Sequence, residues 1–174
     1  MIDNKRREFE RVFDMNLVWE GGQTHAFLYQ GGAMPGGIWP DNIDVIVQMN
    51  KEENWRSRIP SNKYYSAWQI PDDELDADQY ELVRSLASHV HSFLREGKNV
   101  LVHCSAGLNR SGVVVARALM YMGYSPDAAI GLVQTARGMG ALGNPYFRAW
   151  LQREGPSLAH DLAKKEAAPV GSSR

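Results

Sequence analysis

Cysteine is almost absent from this sequence, since the chain of 174 residues holds a single one, Cys104. An intrachain disulfide is therefore excluded, and so is a zinc site built from several cysteines. Long apolar runs are also missing, because no stretch approaches the roughly 20 residues that a membrane-spanning helix needs. The first ten residues are charged rather than apolar, so no secretory signal is visible. We expect a cytoplasmic protein with no membrane partner.

An excess of charge of one sign is lacking too. The 19 Lys and Arg residues nearly balance the 20 Asp and Glu residues, which leaves a formal net charge of −1. This balance argues against nucleic acid or a membrane surface as a general partner. The histidines show no shared spacing with carboxylates that would indicate a metal site. We therefore expect neither a metal nor another cofactor, and nothing in the sequence indicates an oligomeric state.

The organisation predicted from the sequence is one domain with short additions at both ends. We predict an N-terminal arm or short helix over residues 1–16, the domain itself over residues 17–165, and a flexible tail over residues 166–174. The hydrophobic fraction of 44% supplies enough apolar material for one core. No internal repeat or long low-complexity segment interrupts it.

Strand and helix signals alternate along the chain. Apolar, β-branched or aromatic runs predict strands at residues 26–29, 44–49, 63–70 and 99–103. Helical periodicity and capping residues predict helices at about 76–97, 111–122, 125–137 and 144–154, the last continuing or restarting through residue 162. This alternation is typical of an α/β domain with a central, mostly parallel sheet flanked by helices. Ligands of such sheets bind at the carboxyl ends of the strands.

The loop after the strand at 99–103 carries the most informative residues. It reads His-Cys-Ser-Ala-Gly-Leu-Asn-Arg-Ser-Gly over residues 103–112, directly before a predicted helix. Five residues separate Cys104 from Arg110, enough for backbone amides to curl around one anion at the helix N-terminus. Gly107 can take the left-handed conformation that such a curl needs. The predicted phosphate-binding residues are Ser105, Ala106, Gly107, Leu108, Asn109 and Arg110.

Cys104 is the predicted nucleophile of this loop. The amides, the helix terminus and Arg110 all favour its thiolate, which is the reactive form. The Arg110 guanidinium can hold two phosphate oxygens at once, and the Ser111 hydroxyl can donate to the sulfur when it leaves. A lone cysteine is more often a buried, inert residue. The strand before it, the helix after it and the arginine at this spacing favour the catalytic interpretation.

The pattern His103-Cys104-(five residues)-Arg110-Ser111 resembles the signature of the protein tyrosine phosphatase superfamily. The short chain is similar to its compact dual-specificity branch, in particular to small bacterial or phage-type members, over roughly residues 22–152. The resemblance implies metal-independent, two-step phosphomonoester hydrolysis through a phosphocysteine intermediate. It also implies that His103 orients the loop by hydrogen bonding. Asn144 either caps the last helix or braces the loop, as a similarly placed asparagine does in relatives.

The resemblance further implies that an aspartate upstream of the loop protonates the leaving group. The candidates are Asp72 and Asp73, in the segment Trp-Gln-Ile-Pro-Asp-Asp at residues 68–73. We favour Asp72, because Trp-x-x-x-Asp resembles the pattern of the small phosphatases, and keep Asp73 as the alternative general acid. Ordinary turn chemistry would also explain Pro-Asp at this position.

The predicted activity is dephosphorylation of a phosphorylated protein, at phosphotyrosine and by extension at phosphoserine or phosphothreonine. This would make the protein a tyrosine or dual-specificity phosphatase, a hydrolase. Three alternatives remain at this point. They are a phosphoinositide phosphatase, an RNA 5′-phosphatase of the same superfamily, and a non-catalytic pseudophosphatase that binds a phosphorylated partner. The uncharged side chains of residues 105–109 argue against the first, the net charge argues against the second, and the retained Cys104 and Arg110 argue against the third.

Overall fold

The computed structural model describes residues 14–33, 39–50 and 59–167. Predictions for residues 1–13 and 168–174 therefore lie outside the described residues. Five strands and four helices lie within the described ranges. In chain order they are β1 (Met15–Glu20), β2 (Phe27–Gly31), β3 (Val45–Gln48), β4 (Tyr64–Ala67), α1 (Ala77–Arg95), β5 (Val100–His103), α2 (Arg110–Tyr121), α3 (Pro126–Arg137) and α4 (Pro145–Ala167).

The strands form one sheet in the order β1-β2-β5-β3-β4. All neighbouring pairs are parallel except β1 and β2, which are antiparallel. The predicted α/β class with a mostly parallel sheet is confirmed. His103 at the end of β5 pairs with Gly31 of β2 and with Gln48 of β3. Three strands therefore end side by side, directly before Cys104.

The edge strand β1 was not predicted. The sequence predicts an arm or short helix over residues 1–16, but Met15 already pairs with Gly31, so the strand crosses the predicted boundary at residue 17. Its pairing shifts register between Leu17 and Trp19, which breaks the two-residue alternation that would mark a strand. At the other end of the domain, α4 extends to Ala167, two residues beyond the predicted end of the domain at residue 165.

Helix termini agree with the local signals in the sequence. Asp76 accepts a hydrogen bond from the backbone of Gln79, whose side chain accepts one in return, so the capping box is present. Ser125 caps α3 with Pro126 in its first turn. The aromatic-rich strand predicted over residues 63–70 is confirmed but shorter, since β4 covers only Tyr64–Ala67.

The core lies on both faces of the sheet. Val100 and Val102 of β5 belong to the larger apolar cluster, which also contains buried apolar residues of all four described helices. Leu101 between them belongs to a smaller cluster with Trp39 and Ile43. This alternation follows from the two-residue period of a strand. Helix α2, buried from Ser111 through Met120, packs centrally and fixes the direction of the loop that precedes it.

A cluster of charges joins α1, α2 and α4. Arg84 donates from Nε (2.8 Å) and Nη2 (2.9 Å) to the carboxylate of Glu154. Arg117, whose side chain is 4% exposed, contacts the same carboxylate at 3.4 Å. The Arg84 hydrogen bond holds the pKa of Glu154 below its ordinary 4.5, although burial acts in the opposite direction. Because the folded-state pKa is the lower one, this stabilisation is present above pH 4.5 and is lost as pH falls through the folded-state pKa.

We predict that Glu154→Gln lowers the free energy of unfolding at neutral pH by about 2 kcal/mol, because it leaves Arg117 buried without a carboxylate. Urea denaturation measures the difference. Glu81→Gln is the matched control: Glu81 pairs with Arg84 but is 70% exposed, so its loss should cost at most about 0.5 kcal/mol. A difference between wild type and Glu154→Gln that persists unchanged to about pH 3 would contradict the ion-pair explanation.

Candidate active site

The loop of residues 104–109 joins β5 to α2 at the edge where three parallel strands end. Side chains of two other elements hold its carbonyl groups from outside. Arg137, the last residue of α3, donates from Nη2 to the carbonyl of Ala106 (3.3 Å) and from Nε to that of Gly107 (3.0 Å). Gln30 of β2 donates from Nε2 to the carbonyls of Gly107 (3.0 Å) and Leu108 (3.3 Å).

Backbone amides hold the loop's carbonyls as well. The N–H groups of Ala33, Leu142 and Val113 donate to the carbonyls of Ser105 (3.0 Å), Leu108 (3.3 Å) and Asn109 (2.9 Å), respectively. Five consecutive carbonyls, those of residues 105–109, are thus engaged. In a planar trans peptide the C=O and the following N–H point in opposite directions. The N–H groups of residues 106–110 therefore point away from these anchors, as a cradle for an anion requires.

Gly107 allows the sharpest bend of this loop. Its φ of +66° lies in the left-handed region, as the sequence predicted. A Cβ atom at this position would lie 2.5 Å from the backbone carbonyl carbon of Gly31 and would also collide with the Arg137 guanidinium. Any side chain here would displace the groups that hold the carbonyls.

The sequence predicts Arg137 only as the end of a helix, and its contacts with the loop are found only in the structure. Its side chain is 7% exposed, and besides the two loop carbonyls its Nη1 contacts Asn16 Oδ1 (2.8 Å) and both the carbonyl (3.2 Å) and the carboxylate (3.1 Å) of Asp14. Arg137 therefore ties the loop to the start of the edge strand. A basic residue in the last turn of a helix is common, so no local signal distinguishes it.

Cys104 and Ser111 lie next to each other beneath the cradle. Cys104 is 1% exposed and Ser111 is fully buried. The sulfur lies 3.4 Å from the Ser111 hydroxyl oxygen, within range for the hydroxyl to donate to a thiolate. Ser111 is the second residue of α2, so the contact is fixed by the helix that follows the loop. The structure brings together the predicted nucleophile and the hydroxyl predicted to assist its departure.

Arg110 contacts a residue near the start of the same loop. Its Nη2 donates to the Ser105 hydroxyl (3.1 Å), which also accepts from Nδ2 of Asn50 (3.1 Å). The Nε of Arg110 is buried and has no hydrogen-bond partner among the described residues. A buried charged donor without a partner is costly. A bound anion would satisfy it, which fits the predicted role of this arginine.

His103 is fully buried at the end of β5. Burial lowers its pKa to about 4, against a weaker opposing effect of its hydrogen bond to the backbone of Gly32. The ring is therefore neutral at physiological pH. A neutral, hydrogen-bonded ring is suited to orienting the loop, and this remains the predicted role.

The two candidate general acids differ in their contacts. Asp72 accepts hydrogen bonds from Nδ2 of Asn109 to its Oδ2 (3.1 Å) and from Nδ2 of Asn144 to its Oδ1 (3.1 Å). Asp73 accepts one from the adjacent backbone N–H of Glu74 (2.8 Å), a local turn contact. The structure thus joins Asp72, and not Asp73, to the loop by hydrogen bonds among the described residues. Both line an open cleft of about 340 Å³, with Asn109, Gly143, Asn144, Pro145 and Tyr146.

Asn144 makes contacts that fit both of the roles considered for it in the sequence. Its Oδ1 accepts from the backbone N–H groups of Tyr146 (2.9 Å) and Phe147 (3.3 Å), so the predicted N-cap of α4 is confirmed. Its backbone N–H donates to Oδ1 of Asn109 (3.2 Å), which connects the last helix to the loop.

The described ranges contain neither a cluster of metal-binding side chains nor a membrane-spanning helix. Among residues 14–33, 39–50 and 59–167, no three His, Cys, Asp or Glu side chains lie close enough together to bind one metal ion. In the same part of the chain, no helix has the length and apolar character needed to cross a membrane.

Known proteins with similar sequences are phosphatases. The family described as "Dual specificity phosphatase, catalytic domain" matches residues 38–154. The Arabidopsis thaliana protein named phosphatidylinositol 3,4,5-trisphosphate 3-phosphatase and protein-tyrosine-phosphatase PTEN2A is 25% identical over 145 residues, 72% of this chain and 24% of that protein. The human RNA/RNP complex-1-interacting phosphatase is 34% identical over 94 residues, 51% of this chain and 26% of that protein. The chain thus spans about a quarter of the length of these two relatives.

The fold also has counterparts among solved structures. The crystal structure of human DUSP28 superposes with a TM-score of 0.68 at 22% sequence identity, covering 83% of this chain and 95% of that one. At this level of identity the likeness concerns the fold alone.

We predict that Arg137→Lys weakens the binding of tungstate, a phosphate mimic, by about tenfold. A lysine keeps the charge but cannot hold two loop carbonyls and β1 at once, and each hydrogen bond from a charged donor is worth about 1.5–3 kcal/mol. Calorimetric titration measures the affinity, and Arg153→Lys, an exposed residue of α4, is the control. Equal affinities in all three proteins would show that the cradle does not depend on Arg137.

Proposed function

The chain belongs to the dual specificity phosphatase catalytic-domain family, and on that premise we propose that it hydrolyses phosphomonoesters of proteins with Cys104 as the nucleophile. One observation carries this proposal: five consecutive carbonyls of the loop are held outward, which turns its amides toward one anion. The Nε of Arg110, which is buried and has no hydrogen-bond partner among the described residues, is a further donor for the same anion. Such a site stabilises the charge that a phosphoryl group carries in the transition state.

In the first step the Cys104 thiolate attacks phosphorus. A sulfur–phosphorus bond forms while the bond from phosphorus to the ester oxygen breaks, and its electron pair goes to that oxygen. Asp72, as a carboxylic acid, donates a proton to the departing oxygen, so the alcohol or phenol leaves uncharged. Arg110 and the loop amides hold the remaining phosphate oxygens throughout.

In the second step Asp72, now a carboxylate, accepts a proton from water as the water oxygen attacks phosphorus. The sulfur–phosphorus bond breaks and its electron pair returns to Cys104. The Ser111 hydroxyl, 3.4 Å from the sulfur, stabilises the departing thiolate with a hydrogen bond. Inorganic phosphate leaves, and the enzyme returns to its starting state without a metal or other cofactor.

The proposed substrate is a phosphorylated protein, with phosphotyrosine first and phosphoserine or phosphothreonine second. The side chains of residues 105–109 carry no charge, so the loop offers no additional cation for an inositol head group with several phosphates. Tyr146, 44% exposed, lines the cleft beside Asp72 and offers an aromatic wall to a phosphotyrosine ring. We also propose a cytoplasmic location, where thiols stay reduced.

The test of the proposed chemistry is hydrolysis of p-nitrophenyl phosphate by the reduced protein in the presence of EDTA. We predict activity that survives chelation and falls by on the order of 10³-fold or more in Cys104→Ser, because a serine hydroxyl is far harder to ionise than a thiol. Rapid quenching of labelled substrate should trap phosphate on wild type alone. Persistent turnover in Cys104→Ser would disprove the mechanism. Phosphotyrosine peptide and phosphoinositide, assayed side by side, distinguish the two substrate classes.

The assignment of the general acid has its own test. We predict that Asp72→Asn lowers kcat by about 10²-fold or more while tungstate affinity changes little, since a positioned acid typically contributes 10²–10⁴-fold. Asp73→Asn is the matched comparison. A near-wild-type rate in Asp72→Asn combined with a large loss in Asp73→Asn would transfer the role to Asp73.

A further inference from the structure

Asn109 occupies the N-cap position of α2, yet it does not act as a cap. Asparagine at this position ordinarily accepts a hydrogen bond from a backbone N–H of the first turn, worth about 1 kcal/mol. Here its backbone is already helical, with φ −95° and ψ −63°, and its side chain makes no capping bond. Ordinary helix capping therefore does not explain an asparagine at this place in the loop.

The Asn109 side chain instead contacts two segments outside the loop. Its Oδ1 accepts from the backbone N–H of Asn144 (3.2 Å), and its Nδ2 donates to Oδ2 of Asp72 (3.1 Å). A backbone N–H can only donate and a carboxylate can only accept. The two contacts together therefore fix which end of the Asn109 amide faces the carboxyl group.

A second amide fixes the other oxygen of the same carboxyl group. Nδ2 of Asn144 donates to Oδ1 of Asp72 (3.1 Å), while Oδ1 of Asn144 is occupied at the start of α4. Each carboxyl oxygen of Asp72 thus accepts one side-chain N–H. Two donors from different elements determine both the position and the plane of an otherwise exposed side chain.

We propose that Asn109 is a positioning residue for the general acid. Its side chain attaches the Asp72 carboxyl to the loop whose amides bind the phosphate, so that one segment places both the phosphoryl group and the proton donor. This inference rests on the proposed function, because it requires Asp72 to be the acid. Proton transfer in the transition state is sensitive to small displacements of the donor, which gives the contact a catalytic consequence beyond folding.

The dependence on the leaving group separates positioning from a merely structural role. 2,4-Dinitrophenolate is a weak base and departs without a proton, whereas phenolate needs one. A misplaced acid therefore slows the first step, formation of the phosphocysteine, selectively for phenyl phosphate. A distorted loop would slow the hydrolysis of both esters, because both use the same phosphate cradle.

The experiment measures kcat/KM for phenyl phosphate and for 2,4-dinitrophenyl phosphate in wild type and Asn109→Ala, because kcat/KM covers only the steps through formation of the phosphocysteine, whereas kcat also includes its hydrolysis, which is common to both esters. We expect the ratio of the two rates to fall by about tenfold in the variant, a part of what a general acid contributes. Asn109→Asp provides a second variant of nearly the same size. It can still accept from Asn144 but presents a carboxylate to Asp72, and we expect an equal or larger fall of the ratio.

A double-mutant cycle completes the test. In an Asp72→Asn background, Asn109→Ala should no longer change the ratio, because the group that it positions cannot donate the proton. A ratio that stays at the wild-type value in both Asn109 variants overturns the inference, even if both rates fall. If Asp72→Asn itself leaves the ratio unchanged, the assignment of the acid fails as well. Absence of turnover of either ester by wild type would instead disprove the proposed function.

Discussion

The outward anchoring of the loop carbonyls is the interaction on which the site depends. A chain segment that presents consecutive amides to one point must turn its carbonyls the other way, and buried carbonyls need partners. Arg137 and Gln30 supply side-chain partners from α3 and β2, and three backbone amides supply the rest. The shape of the anion cradle therefore depends on the donors that bind the loop carbonyls as much as on the loop itself.

The surrounding fold explains why these groups meet. Parallel pairing places the ends of β2, β3 and β5 side by side, so Gly31 and Asn50 border the first residues of the loop. Helix α2 begins at Arg110 and is buried along nearly its whole length, which fixes Ser111 against the sulfur. Helix α3 ends where the Arg137 side chain reaches both the loop and β1. The edge strand thus contributes to the site although it carries none of the reacting groups.

Asp72, the proposed proton donor, is likewise held in place by side chains from other parts of the fold. Two asparagines, one in the loop and one at the start of α4, hold the two oxygens of its carboxyl group. His103 differs from Asp72, because burial keeps its ring neutral. A neutral ring suits the loop-orienting role predicted for His103 better than it suits proton transfer. In this arrangement the polar residues around Cys104 divide into those that we propose to react and those that hold them in place.

Local signals in the sequence predict most of the helices and strands and the residues that we propose to react. The spacing of Cys104, Arg110 and Ser111, the capping residues Asp76 and Ser125, and the apolar runs of the inner strands all act over fewer than about ten residues. Edge strand β1 escaped prediction because its register shift hides the alternation.

The groups that support the loop depend instead on contacts between residues that are far apart in the sequence. Arg137 meets Asp14 across 123 positions of sequence, and Asn109 meets Asp72 across 37. Taken alone, Arg137 is an ordinary basic residue at a helix end and Asn109 is one of several uncharged loop residues, so neither carries a local signal of its partner. Their partners follow from sheet order and helix packing, which bring residues distant in sequence within hydrogen-bonding distance.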